Sequence, residues 1–115
     1  MELTYIVDPG HGWLVVPMKL IDSLGLKNCF SQCSYINGNH GMAYLEEDCD
    51  AGIIMMAMEK ANIDYEVKEI YQENTFVRRL ESYPFMDRDC FNEKWEESRN
   101  YFRNKRKGTE DINNT

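Results

Sequence analysis

Four stretches of this 115-residue chain gather side chains that can do chemistry. The first is Asp8-Pro9-Gly10-His11-Gly12. Glycines on both sides free the backbone and leave the imidazole accessible, and a histidine is a natural acid, base or metal ligand near neutral pH. Asp8 is close enough in sequence to orient it. The competing reading is a plain turn, since Asp-Pro-Gly bends a chain for conformational reasons alone. The second is Glu46-Glu47-Asp48-Cys49-Asp50, four carboxylates in five residues. They could ligate a divalent cation through oxygen, divide acid and base roles if burial separates their pKa values, or face a basic partner surface. Asp48 or Asp50 could also simply cap a helix, which leaves the excess acids unexplained.

The third stretch runs from Tyr71 through Asn74 to Arg78 and Arg79. Arginines after a polar turn can grip a carboxylate or phosphate bidentately, or form salt bridges to the acidic cluster. The fourth is the basic run Arg103-Asn104-Lys105-Arg106-Lys107, a nucleic-acid patch if taken alone. Cysteines add a further option. Cys29 and Cys33 form a C-x3-C pair, with His40 and Cys49 downstream, so four zinc-type ligands exist on paper at a spacing that is not diagnostic. With no export signal, free, reduced thiols at all four cysteines, Cys90 included, are the simpler expectation. No phosphate-binding loop, nucleophile elbow or H-E-x-x-H helix is present, and two histidines are too few for a three-histidine metal centre.

Elements must position these groups. Residues 3–8 and 13–16 read as two strands around the Pro9–Gly12 turn. Pro17 opens a short helix over 17–24, which Gly25 ends. Residues 30–37 and 42–45 read as a hairpin around Gly38-Asn39-His40-Gly41. Residues 51–61 are apolar almost all round and read as a buried helix. Strict alternation over 64–71 predicts a half-buried strand, and 76–83 a short helix or irregular arm. A long helix follows over 87–107, with Phe91, Trp95, Ser98 and Phe102 in one stripe, acids leading and bases trailing as the helix dipole favours. That order also explains the basic tip without nucleic acid. Gly108 is the expected stop, and 108–115 the expected disordered tail. His11-Gly12 and His40-Gly41 both precede strands, an echo compatible with an internal repeat or with chance.

The order ββαββαβ plus a long helix predicts an α+β fold: a small, mainly antiparallel sheet with helices on one face. One domain is expected, with a core over 1–84 and a helical extension over 85–107. The composition is that of a globular chain, 43% apolar and 29% charged. The net charge of -7, from 20 acids and 13 bases, argues against a general nucleic-acid binder. No apolar run is long enough to span a bilayer, and the N-terminus lacks a signal-peptide pattern, so a cytoplasmic location is expected.

Three motifs taken together carry a resemblance: Asp8-Pro9-Gly10-His11-Gly12-Trp13-Leu14 with Val16-Pro17; Tyr44-Leu45-Glu46-Glu47-Asp48-Cys49-Asp50-Ala51; and Glu73-Asn74-Thr75 with Val77-Arg78. The set, within residues 4–80, resembles uncharacterised small proteins encoded by bacteriophages, prophages and plasmids. The resemblance implies a mobile genetic element in a bacterial cytoplasm and no particular reaction. The expected function is therefore an acidic accessory protein that binds and inhibits a host protein, such as a defence or nucleic-acid-processing factor, or engages a phage protein, rather than an enzyme. The alternative is a small-molecule or divalent-metal binding protein, or a hydrolase, centred on His11 and the acids. The expected binding residues are Asp8, His11, Glu46, Glu47, Asp48, Asp50, Asn74 and Arg78. No cofactor is expected, and a homodimer through the last helix is an option.

Overall fold

The computed structural model describes residues 1–113, with side chains described to Lys107. Six strands form one sheet: β1 (Glu2–Val7), β2 (Gly12–Pro17), β3 (Tyr35–Asn37), β4 (Met42–Glu46), β5 (Glu66–Tyr71) and β6 (Glu81–Ser82), in the order β5-β1-β2-β4-β3-β6. Every pairing is antiparallel except β1 with β5. Three helices, α1 (Met18–Ser23), α2 (Ala51–Lys60) and α3 (Arg88–Asn113), complete an α+β fold. Among the described residues no helix is long and apolar enough to cross a membrane.

The two faces of the sheet have different covers, because side chains alternate along each strand. Leu3, Leu14, Val16, Ala43 and Leu45 point to the helix side and meet Ile21 of α1 and Ile53, Ile54 and Met58 of α2. Each such buried aliphatic chain contributes about 1.5–3 kcal/mol relative to exposure. Ile6, Trp13 and Tyr44 point the other way and meet Val77, with Phe76 and Leu80 beside it. Those last three belong to the segment between β5 and β6, whose centre is a single 3-10 turn, Phe76–Arg79. The crossing is dictated by topology. β5 lies parallel to β1 at one edge and β6 pairs with β3 at the other, so the connection must traverse the second face.

α3 settles the fate of its apolar stripe. It folds back, with Phe91, Trp95 and Cys90 packed against the main core and Ser98 buried. Lys60 of α2 pairs with Glu97 at 2.8 Å, and Glu59 accepts from Tyr65, Tyr101 and Lys105. A disulfide between Cys29 and Cys90, with Cα atoms 5.0 Å apart, joins the start of α3 to the loop before β3.

Several expectations are corrected. Cys29 and Cys90 are bonded rather than reduced, because the fold-back of α3 brings together two residues separated by 61 positions. The third strand is only Tyr35–Asn37, since 26–34 is drawn into a loop by side-chain hydrogen bonds described below. β5 alternates as expected but is exposed along its whole length, because it lies at the edge of the sheet. α3 passes Gly108 without ending there, since an interior glycine costs a helix only about 1 kcal/mol. The tail expected at 108–115 otherwise lies outside the residues whose side chains are described.

Candidate functional site

The site is built by strand register. Trp13 on β2 lies opposite Glu46 on β4, and the Glu47 amide donates to the Gly12 carbonyl at 3.0 Å. The end of β4 is thereby fixed beside the β1–β2 turn. The turn is closed by Asp8, whose Oδ1 accepts from the amides of Gly10 and His11, both at 2.8 Å. The Asp8 amide in turn donates to the His11 carbonyl. β5 ends next to β1, so the crossing segment starts here and delivers Arg78 to Asp8: Nε to Oδ2 at 3.0 Å and Nη2 to Oδ1 at 3.2 Å. The Arg78 hydrogen bond, with the two turn amides in support, holds the Asp8 carboxyl down at about 2.

His11 faces Glu46 rather than Asp8. Its Nδ1 lies 3.5 Å from Glu46 Oε1. Glu46 is 5% exposed, and its other oxygen accepts from the amides of Asp48 and Cys49, both at 2.9 Å. Glu47 points to the helix side, where it accepts from the Tyr5 hydroxyl. Tyr5 lies so close over Gly12 that a Cβ there would sit 2.1 Å from its oxygen. The donor atoms of His11, Glu46 and Glu47 lie within 4.8 Å of one another.

Of these groups His11 and Glu46 line a pocket of about 360 Å³, whose walls also include Trp13, Cys33, Tyr35, Asp48, Cys49 and Arg78, while Glu47 stands beside it. Trp13 is its floor. The indole is 2% exposed, the Arg78 guanidinium lies 5.3 Å from its ring centre, and Tyr35 meets it edge-on at 6.4 Å. Its Nε1–H has no acceptor among the described residues, an omission that costs about 1–3 kcal/mol in a buried donor. Cys33 and Cys49 are free thiols, the first exposed and the second half-buried. Burial first, and then the neighbouring Cys33, push the Cys49 thiol up to about 12.

Not every expected site residue belongs here. Asp50 is fully buried and turned away from solvent. Its carboxylate accepts from the Ser31 amide at 3.0 Å, the Ser31 hydroxyl at 2.9 Å and the Ser34 hydroxyl. It is the residue before α2, yet its side chain makes no capping hydrogen bond to that helix, because its oxygens are committed to the 31–34 loop. Desolvation raises its pKa against the lowering pull of those hydroxyls. Asn74 is exposed in the turn after β5 and lines none of the pocket. Asp8 organises the turn backbone and holds Arg78, but does not orient the imidazole. The four-ligand zinc set does not assemble: Cys29 is bonded to Cys90, and His40 lies in the β3–β4 turn, whose strand end pairs with Pro17 at the far end of β2. The same separation places the two His-Gly pairs at opposite ends of one strand pair.

Trp13 and Tyr35 were missed by sequence reading as site residues. The available signal was that the run after Gly12 is apolar on both faces, so its second face needed a cover. No family model, no curated protein and no solved structure matches this chain.

Proposed function

We propose that the protein is a binding protein whose working surface is this pocket, and that the rim binds a divalent transition-metal cation through His11, Glu46 and Glu47. One observation carries the reading: three donor atoms from two separate segments converge within 4.8 Å. An imidazole nitrogen with two carboxylates suits manganese, iron, nickel or zinc, whereas magnesium and calcium favour all-oxygen sets. Two backbone amides pin one Glu46 oxygen and leave the other toward His11. The Tyr5 hydroxyl orients Glu47 in the same supporting manner. The rest of the pocket, with Trp13, Tyr35 and Arg78, then holds a small polar molecule beside the cation.

Titration of the purified chain with Mn²⁺, Ni²⁺ and Zn²⁺, followed by calorimetry and native mass spectrometry, tests this. One equivalent is expected, with affinity lowered by at least about 10–100-fold in Glu46→Gln and His11→Ala, since losing even a partner that supports a ligand costs that much. Wild-type protein that takes up none of the three metals at millimolar concentration defeats the reading.

A protein partner is the second reading, and edge strand β5 favours it. Val67, Ile70 and Tyr71 are exposed there, at 46%, 38% and 63%. An edge strand with apolar side chains offers main-chain groups for strand addition. In the setting implied by the phage-type resemblance, the partner is a host or phage protein in the bacterial cytoplasm, and the outcome is inhibition. The acidic cluster supports this reading less, because Glu46 and Asp50 are buried. If β5 is the contact, Tyr71→Asp abolishes capture of a partner from bacterial lysate at physiological salt. Capture that survives Tyr71→Asp and Val67→Lys together removes β5 from the interface.

A further inference from the structure

We propose that Cys33 and Cys49 are a redox-active thiol pair, oxidised by a hydroperoxide or a small disulfide to a second intramolecular disulfide in the pocket wall. They are the two cysteines not joined in the Cys29–Cys90 bond, they stand beside each other, and both line the pocket. They come from different segments, and hydrogen bonds on both sides of each cysteine hold those segments in register. Asp50, next to Cys49, takes the amide and hydroxyl of Ser31, two residues before Cys33, and the hydroxyl of Ser34, directly after it. The Cys33 amide donates to Ser31 Oγ at 3.2 Å. The Glu46 amide donates to Ser34 Oγ at 2.9 Å, and the Cys49 amide returns to the Glu46 carboxylate. The clamp holds the two thiol-bearing segments side by side in the reduced protein.

Exposure divides the roles. Cys33 is exposed and meets the oxidant, while Cys49 is half-buried beside it. With hydrogen peroxide, the Cys33 sulfur attacks one oxygen, the O–O bond breaks, and a sulfenic acid and one water form. The Cys49 sulfur then attacks the Cys33 sulfur, the S–O bond breaks, and a second water leaves with the Cys49 proton. Two thiols lose two protons and two electrons, and one peroxide becomes two waters. With a small disulfide, the same two attacks release two thiol molecules. The new bond ties the loop before β3 to the turn that follows Glu46 and carries Asp48, and so changes the pocket. Only this last consequence rests on the cation-binding reading above.

The test treats the full chain separately with hydrogen peroxide and with oxidised glutathione, then maps peptides without reduction. A Cys33–Cys49 linked peptide is expected, with an intact mass lower by two hydrogens. Cys49→Ser should instead carry a sulfenic acid or a glutathione adduct on Cys33. The proposal is overturned if Cys33 and Cys49 stay unlinked, if Cys33 is found joined to Cys29 or Cys90, or if the link runs between two chains. Mn²⁺ titration of both redox forms separates the remaining possibilities. At least a fivefold change in affinity supports coupling to the pocket. An unchanged affinity with the bond formed overturns the coupling alone, and binding of none of Mn²⁺, Ni²⁺ and Zn²⁺ in either form overturns the cation reading while the peptide map still decides the thiol pair.

Discussion

Two aspartates close to the pocket answer to pH in opposite directions. Asp8 sits at about 2 in the fold against an ordinary 3.8. A carboxyl held low contributes stability that is complete above its unfolded value and is lost as pH falls toward the folded one. The stability difference between wild type and Arg78→Ala should therefore be largest near neutral pH and shrink between about pH 4 and pH 2. Denaturant unfolding across that range checks this, and a difference that stays constant with pH counts against it. Asp50 is raised instead, because desolvation outweighs its hydroxyl partners. The native state then holds its proton longer than the unfolded chain, so its contribution weakens as pH rises above the unfolded value. Asp50→Asn should remove that slope, while Asp50→Ala, which strands the Ser31 and Ser34 donors, should cost at least about 3 kcal/mol. Gly12 presents a steric constraint rather than an ionic one. A methyl there meets Tyr5 at 2.1 Å, so Gly12→Ala should destabilise by about 1–3 kcal/mol. Tyrosine fluorescence and denaturant midpoints would register the displaced ring and the lost Glu47 contact.

At the scale of elements, the crossing segment between β5 and β6 does the most with the least regular structure. Four residues of 3-10 turn cover the face opposite the helices, bury Val77 completely and carry Arg78 to Asp8. Val77→Ala should cost about 1–3 kcal/mol through lost burial. It should also loosen Arg78 over Trp13, seen as a red-shifted Trp13 emission in a Trp95→Phe background. An unshifted spectrum with full stability would mean that the segment is not seated as described. α2 and β4 were legible from patterning, because a helix apolar on nearly all sides and a short apolar strand have few alternative homes. β3 was read too long. Phe30 and Cys33 suggested a strand, but the serines at 31 and 34 had a better partner in buried Asp50 than in a sheet ladder.

For the whole molecule, α3 is held by a disulfide at its start, an apolar stripe along its middle and ion pairs to α2. Reduction, or Cys90→Ser, opens a loop of 61 positions. It should lower stability by about 2–4 kcal/mol, with amides at the start of α3 becoming the first to exchange. Unchanged exchange there would show that the stripe alone seats the helix. The charge of -7 is also distributed by the fold. Asp8 is matched by Arg78, Glu59 by Lys105 and Glu97 by Lys60, while Asp50 is sealed inside. The acidic run at the end of β4 is thus partly a structural device rather than one continuous acidic face.

The sequence by itself determined the α+β class, the order of the elements as far as β5, both strands around the Pro9–Gly12 turn and the presence of an apolar stripe on α3, but neither β6 nor the direction in which that stripe faces. Each follows from local periodicity and turn chemistry, which neighbouring residues carry among themselves. It also named His11, Glu46, Asp48 and Arg78 by residue type. Only the tertiary structure decided that they share a pocket, that Asp50 is a buried brace, that Asn74 stands apart, and which cysteines are bonded. Those outcomes depend on strand register and on a connection that crosses the sheet. Both bring together residues tens of positions apart, and a pattern with a period of two or 3.6 residues holds no record of such distances.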